Sequence, residues 1–257
     1  MSHKPLFSRA LSLNPGRLHF AAHSHHLWPD ASFDGHIQAW LEANQHADRK
    51  WDQIFGEVVP EAQRHVAAEL NLPSPDTVVF APNTHDFLLR IFSGVVRRPV
   101  RILTTDGEFH AFRRQADRWH EAGEAEVTRI PLAPFDTFDA RFIEAARTGE
   151  FDLIVISQVF FKTGQVFGNL MGPPDGVQYR ADAGRFWGAT FDATPLYRFN
   201  GVRRMLEAQG LTTAMIADHA RSLMQRFETA VIAGEAGRLA EAETINPLAN
   251  DISRARF

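Results

Sequence analysis

The chain has 257 residues, a formal net charge of −4, 44% hydrophobic and 23% charged residues, and no cysteine. This composition is typical of a folded globular protein and excludes a disordered chain, while the absence of cysteine excludes disulfides, a thiolate nucleophile and cysteine metal sites. The sequence contains no block of like charge, no N-terminal apolar segment of the length that a signal peptide needs, and no apolar run of about 18 residues. We therefore expect a cytoplasmic protein that binds neither nucleic acid nor membrane.

The N-terminal part is predicted to be an extended arm followed by helices. Residues 18–22 form the predicted arm, and a histidine cluster follows it. Apolar residues then recur at helical spacing. They predict one helix through Ile37, Trp40 and Leu41, a second through Trp51, Ile54 and Phe55, and a third that begins at Pro60 and ends near Leu70.

Strands and helices alternate in the middle of the chain. Predicted strands cover 77–81, 101–105, 127–132 and 152–160, and predicted helices cover 84–93, 110–121 and 138–147. This alternation predicts an α/β fold, a three-layer α/β/α domain with a mainly parallel sheet. The rhythm stops after Phe167, where residues 168–176 have the composition of a loop. Two further helices are predicted, from about Pro195 to Gly210 and from Thr212 to about Gly234.

The first strand-to-helix junction contains Asn83 and Thr84. Backbone N–H groups and the helix dipole at such a junction attract an anion, and the threonine hydroxyl adds a donor. A simpler interpretation is that Asn83 only caps the helix. The second junction places Phe109 after Gly107 and Glu108, where the ring could stack on a flat ligand or could merely plug the sheet edge.

A histidine cluster on the predicted arm is the one candidate for a metal site. It consists of His19, His23, His25 and His26. A single extended arm does not bring these side chains to one point, and no metal-binding spacing such as H-E-x-x-H supports it. We predict no metal, and a histidine-rich metalloenzyme is the weakest of the functional hypotheses.

Three segments, 77–85, 102–110 and 154–165, together resemble the large domain of class V, fold-type I pyridoxal-phosphate (PLP) enzymes, and kynureninase-like members most of all. The resemblance implies that Asn83, Thr84 and His85 hold the cofactor phosphate and that Phe109 stacks on the pyridine ring. Residues 185–190 are similar to the Gly-Thr element that a partner subunit contributes in such dimers, which implies a phosphate contact for Thr190.

The same resemblance implies an amino-acid substrate and a homodimer, and the reaction would be a hydrolysis or a transamination. The arm lies over the active-site mouth in the family, which implies that His23 meets the substrate carboxylate. Members of the family attach PLP to a lysine on a later strand, but the only lysines here are Lys4, Lys50 and Lys162. Lys162 matches a non-catalytic place in the family, so we assign no catalytic residue.

The resemblance also implies a division into three parts. Residues 1–35 form the arm, 36–200 a PLP-type large domain that is internally shortened near 167/168, and 201–257 a helical segment that leads toward an absent small domain. The chain is expected either to be a shortened form of such an enzyme or to represent pieces of a longer one. For the 257-residue chain as it stands we predict an inactive PLP enzyme, the alternative being a non-catalytic remnant or a phosphate-binding interaction protein.

Overall fold

The computed structural model describes residues 2–19, 26–160, 163–165, 167 and 191–233. The chain divides into two compact units, the first of which comprises Met1–Val79 and Arg180–Leu223 and the second Phe80–Tyr179 and Met224–Phe257. The predicted division into an arm, a large domain and a helical segment stays a prediction. None of the helices in the described ranges is long and apolar enough to cross a membrane.

Helices dominate the described residues. The α-helices are α1 (Ser8–Ser12), α2 (Asp30–His46), α3 (Lys50–Gln53), α4 (Val59–Glu69), α5 (Thr84–Gly94), α6 (His110–Glu121), α7 (Phe138–Thr148), α8 (Thr194–Ala208) and α9 (Thr213–Ile232). A π-helical turn, Ile54–Val58, joins α3 to α4, and 3-10 turns cover Lys4–Phe7, Ala47–Arg49, Pro75–Thr77 and Phe135–Thr137. The strands are β1 (Val100–Thr105), β2 (Ala125–Ile130) and β3 (Leu153–Ile154).

The second unit is built on a parallel sheet. The three described strands have the order β2-β1-β3, and β1 runs parallel to both of its neighbours. In the middle of β1, Ile102 lies opposite Val127 on one side and Leu153 on the other. The central position of β1 explains its almost complete burial, since neighbours cover it on both edges and helices on both faces.

Alternate residues of β1 point to opposite faces of the sheet and enter two separate cores. On one face, Val100 and Ile102 pack with residues of α5 and α6, including Phe92 and Trp119, whose rings stack 3.7 Å apart. On the other face, Leu103 packs with a phenylalanine cluster that consists of Phe138, Phe142, Phe160 and Phe167. Helices therefore cover both faces, and the predicted three-layer α/β fold with a parallel sheet is confirmed.

Two predicted strands differ from the structure. Residues 77–81 form no strand: the chain leaves the 3-10 turn at Val78 in extended backbone, and the Val78 carbonyl accepts a hydrogen bond from the Gln63 side chain instead of a neighbouring strand. The strand predicted over 152–160 is cut to Leu153–Ile154. The hydrogen bonds between β3 and β1 end early because the Ser157 N–H donates to the Glu108 carboxylate, 3.0 Å away, and not to a carbonyl of a neighbouring strand.

The first unit is held together by a close crossing of α2 and α8. A Cβ on Gly35 would lie 2.5 Å from the Tyr197 carbonyl oxygen, and one on Gly201 would lie 2.8 Å from the Ala31 carbonyl oxygen. Glycine is therefore required on each helix, because any larger residue would push the two backbones apart.

An ion pair joins α4 to α8 in the same unit. The Arg204 guanidinium donates two hydrogen bonds of 2.6 Å to the Glu61 carboxylate. The fully buried Asn200 donates to the Val58 carbonyl at 2.9 Å and to Glu61 at 3.3 Å. The hydrogen bond from Arg204 is the main reason that the pKa of Glu61 lies below its ordinary value.

We predict that replacing Arg204 with methionine lowers the free energy of unfolding by roughly 1 kcal/mol at neutral pH, since the arginine side chain is partly exposed. The pKa of Glu61 is lowered in the folded state. Its contribution is therefore present above the unfolded-state pKa and is lost as the pH falls through the lower folded-state pKa. Urea denaturation should show the difference between wild type and variant at about pH 7 and a smaller difference at about pH 3.

Arg226→Met is the matched control, because Arg226 is exposed on α9 and forms no ion pair within the described ranges. It should leave the stability unchanged at both pH values. A stability loss for Arg204→Met that is equally large in acid would contradict the assignment of the effect to the Glu61 carboxylate.

Candidate functional site

A cavity of about 380 Å³ opens in the second unit, next to the carboxyl ends of β1 and β3. Open α/β sheets bind ligands at the carboxyl ends of their strands, and this volume falls within the range of small-molecule sites. The lining residues come from α5, α6 and the segments that follow the two strands. They are Thr84, His85, Leu88, Glu108, Phe109, Ala111, Phe112, Val155, Ile156 and Ser157.

The N-terminus of α5 forms one end of the lining. Asn83 is the N-cap, and its side-chain oxygen accepts a hydrogen bond of 2.9 Å from the Asp86 N–H. Asn83 therefore caps the helix, and it does not itself line the cavity. Capping fixes the start of the helix at Thr84, so that Thr84 and His85 occupy its first turn and face the cavity.

Two features of this helix terminus fit an anion. Within the part of the chain that the structure describes, the backbone N–H groups of Thr84 and His85 have no hydrogen-bond acceptor, as is usual for the first turn of a helix. The Nδ1 atom of His85 is buried and also has no partner among the described residues. Together with the helix dipole, the free N–H groups of Thr84 and His85 favour an anion at the α5 end of the cavity.

Phe109 supplies an aromatic surface in the same cavity. It is the N-cap of α6, with extended backbone, and its side chain is 41% exposed. Its ring lies 4.1 Å from the His110 ring at an interplanar angle of 43°. The structure therefore brings Phe109 to the same cavity as Thr84 and His85 of α5.

Glu108 is a site residue that sequence reasoning missed. It is only 5% exposed, yet it lines the cavity. Its carboxylate accepts hydrogen bonds from the Thr105 hydroxyl at 2.9 Å, from the Ser157 N–H at 3.0 Å and from the Ser157 hydroxyl. These bonds tie the end of β1 to the segment after β3. The signal in the sequence was an acidic residue in the turn that follows a buried strand.

The turn before Glu108 packs closely against the Leu132 side chain. A Cβ on Gly107 would lie 2.1 Å from Cδ1 of Leu132, and the Gly107 N–H donates to the Thr105 hydroxyl at 3.2 Å. The chain can therefore reverse tightly at the end of β1, which places Glu108 under the cavity and Phe109 at its edge.

The structure does not describe the remaining predicted site residues. His23, Thr190 and Lys162 lie outside the described residues. The predicted third junction contains a turn, in which Gly164 has a φ of 66° and its N–H donates to the Phe160 carbonyl at 2.8 Å, but residues 163–165 do not line the cavity. No group of three metal-ligating side chains occurs among the described residues, and the prediction of no metal stays untested because half of the histidine cluster lies outside them.

The chain was compared with protein families, curated proteins and solved structures, and only solved structures match it. No protein-family model and no curated protein matches the chain. Among solved structures, the chain is similar to a lysine-to-alanine mutant of C-DES that has glycine covalently linked to its PLP cofactor, with a TM-score of 0.54 and 16% identity over 65% of this chain and 43% of that one. A complex between the cystine C-S lyase C-DES and its product cysteine persulfide gives a TM-score of 0.47 and 17% identity over 55% of this chain and 38% of that one.

At this identity the first similarity shows the fold alone. The described fold, helix-rich with a small parallel sheet, matches a fragment of the α/β fold of fold-type I PLP enzymes. The chain spans less than half the length of the C-DES structure. Membership of class V in particular does not follow from the comparison.

The lining residues fit part of a PLP molecule. The helix terminus at Thr84 suits a phosphate, and the exposed Phe109 ring suits the face of a pyridine. An amine for covalent attachment is missing from the described lining, since Lys4 and Lys50 belong to the first unit and Lys162 lies outside the described residues. The described lining therefore offers a place for a phosphate and for an aromatic ring and supplies no amine of its own.

Proposed function

We propose that the second unit binds PLP non-covalently, with the phosphate at the N-terminus of α5 and the ring against Phe109. The observation that carries the proposal is that Thr84, His85 and Phe109 line one cavity of about 380 Å³ at the carboxyl end of a parallel sheet. When bound in an enzyme, PLP supplies an electron sink for carbanions of amino acids. The residues of this chain would bind and orient the cofactor.

The physical basis of binding is a division of the lining into polar and apolar parts. Free N–H groups and the dipole at the start of α5 stabilise the phosphate charge. Leu88, Phe112, Val155 and Ile156 line the cavity with apolar surface that excludes water from the ring. This combination of apolar walls with a few converging polar groups is typical of cofactor sites.

We further propose a lineage among class V, kynureninase-like enzymes that act on an amino acid by hydrolysis or transamination. The support is the order of the three junctions and the phenylalanine at position 109. In this proposal His23 would meet the substrate carboxylate, Thr190 would reach the phosphate of a partner subunit, and the protein would be a cytoplasmic homodimer. Because no lysine is assigned to the site, we propose that the 257-residue chain is inactive or severely impaired.

We predict that Thr84→Ala weakens PLP binding by roughly 1 kcal/mol or more, the scale of a hydrogen bond to a charged group. The affinity can be measured by titrating the protein with PLP and following the absorbance of the bound cofactor. Thr128→Ala is the matched control, because Thr128 is exposed on β2 and does not line the cavity. Equal PLP affinity in wild type, Thr84→Ala and Thr128→Ala would remove the phosphate assignment.

A phosphate-binding interaction protein is the second candidate, favoured by the free donors at α5 together with the missing amine. The same titration separates the two hypotheses if inorganic phosphate competes with PLP. A site that is specific for PLP should bind PLP much more tightly than inorganic phosphate, because the ring adds apolar and stacking contacts. Comparable affinities for the two would favour the interaction protein.

A further inference from the structure

A smaller cavity of about 100 Å³, called the small cavity below, lies within the first unit. We propose that it binds a compact zwitterion, a molecule such as glycine with one ammonium and one carboxylate group, between Lys50 and Asp192. The lining residues come from α2, α3, the π-helical turn and the start of α8. They are Ala39, Ala43, Lys50, Trp51, Ile54, Phe191, Asp192, Ala193, Thr194 and Tyr197. This site is separate from the proposed PLP site and does not depend on it.

The size of the small cavity restricts the ligand. Three of the lining residues are alanines, Ala39 and Ala43 on α2 and Ala193 at the start of α8. Their short side chains leave space that larger residues would fill in a closely packed interior. Sites for drug-sized ligands have volumes of roughly 300–1,000 Å³, so only a compact molecule fits a cavity of about 100 Å³.

Lys50 supplies a positive charge that is not neutralised by the described residues. It lines the same cavity as Asp192, yet it forms no salt bridge with Asp192 or with any other described carboxylate. Its ammonium lies 5.5 Å from the centre of the Trp51 ring, and this cation–π contact restrains the long side chain. A lysine ammonium has three hydrogen-bond donors. A ligand carboxylate can therefore bind Lys50 without displacing a described protein group.

Asp192 supplies the negative charge. Its carboxylate accepts the Thr194 N–H at 2.9 Å, which fixes it at the start of α8. The pKa of Asp192 lies below its ordinary value, mainly because of a hydrogen bond from the Thr194 side chain, so the carboxylate is ionised at neutral pH. A carboxylate has about four acceptor positions, and its donors within the described ranges both belong to Thr194. Acceptor positions therefore stay open for a ligand ammonium.

The pair of charges favours a ligand that carries both signs. A simple anion would gain the attraction of Lys50 but would be repelled by Asp192, and a simple cation would meet the reverse. A zwitterion gains both attractions. Trp51 and Phe191, whose ring centres lie 6.4 Å apart, line the same cavity and present aromatic surface that also attracts an ammonium group.

The experiment measures the binding of three small probes to the 257-residue protein in the absence of PLP. Glycine carries both charges, acetate only the negative one and methylammonium only the positive one. Dissociation constants are obtained by NMR from the line broadening of each probe as protein is added. The wild type should bind glycine at least about tenfold more tightly than either of the other probes, the scale of one charge-assisted hydrogen bond.

Two variants identify the binding groups. Lys50→Met should weaken glycine binding by about tenfold or more without weakening methylammonium binding. Asp192→Asn should weaken glycine binding by a similar factor without weakening acetate binding, and asparagine keeps an acceptor oxygen for the Thr194 N–H. Lys4→Met and Asp48→Asn are the matched controls, because both residues are exposed in the first unit and do not line the small cavity. The controls should bind glycine as the wild type does.

The inference is wrong if the wild type does not bind glycine, or binds it no more tightly than acetate or methylammonium, and neither result depends on a variant that folds. Glycine binding that Lys50→Met and Asp192→Asn leave unchanged would also contradict it. Loss of glycine binding in Thr84→Ala would instead assign the ligand to the cavity of the second unit. Failure of PLP to bind would refute the proposed function alone, because the two cavities belong to different units.

Discussion

Incubation of the protein with PLP followed by borohydride reduction is expected to label no specific lysine. The chain contains only Lys4, Lys50 and Lys162. Lys4 and Lys50 belong to the first unit and do not line the cavity, and Lys162 matches a non-catalytic position in the family that the sequence resembles. Without an amine at the cofactor, the attachment and exchange steps of a PLP enzyme cannot begin. Peptide mass spectrometry of the reduced sample is the measurement.

We also expect no catalytic activity, because the described cavity supplies no amine for the cofactor. Amino acids should not turn over faster in the presence of the protein and PLP than with PLP alone. Lys162→Arg provides the control, since it removes the only lysine near the third junction and should change neither the labelling pattern nor the rate. Stoichiometric labelling of Lys162 in the wild type, accompanied by turnover that Lys162→Arg abolishes, would overturn this expectation and make Lys162 the attachment site.

Replacement of Phe138 by alanine should destabilise the second unit by about 3–5 kcal/mol, the usual range for removing a buried phenylalanine side chain. Phe138 is fully buried, and its ring lies 5.5–5.8 Å from four other phenylalanine rings. These are Phe135, Phe142, Phe160 and Phe167. The substitution would open a cavity in the centre of this cluster, beneath Leu103 of β1.

The two units need not unfold together, so a global transition is a poor measure of this effect. Amide hydrogen exchange of β1 peptides reports the second unit directly, and Phe138→Ala should accelerate it strongly. Phe109→Ala is the matched control, because its ring is 41% exposed and its loss should cost only about 1 kcal/mol. Equal acceleration in the two variants would contradict the placement of the phenylalanine cluster as the core of that face.

Local signals predicted the helices of the second unit well. The helix predicted over 84–93 corresponds to α5, where the Asn83 cap marks the start, and the one predicted over 110–121 coincides with α6. Capping and apolar periodicity act over a few residues, so they can be read from the sequence. The N-terminal helix α1 was not predicted, because five residues are too few for a periodic pattern.

Strands depend on partners that the local sequence does not reveal. The segment 77–81 has the β-branched residues of a strand. In the described structure, however, the Val78 carbonyl accepts a hydrogen bond from the Gln63 side chain of α4. The end of β3 depends likewise on Glu108, which captures the Ser157 N–H from 49 residues away. Strand pairing is a long-range property, and short apolar runs are therefore ambiguous until the tertiary contacts are known.

The sequence by itself determined the residue types of the site: a capping asparagine, a threonine and a histidine at the start of a helix, a phenylalanine after a strand, and only three lysines in the chain. Only the tertiary structure decided that Thr84, His85 and Phe109 share a cavity and that Glu108 is buried within its lining. The physical reason is that helix caps form through contacts within one turn. The cavity instead forms where the carboxyl ends of parallel strands meet, and their meeting depends on the register of β1 with β3 across 51 residues of chain.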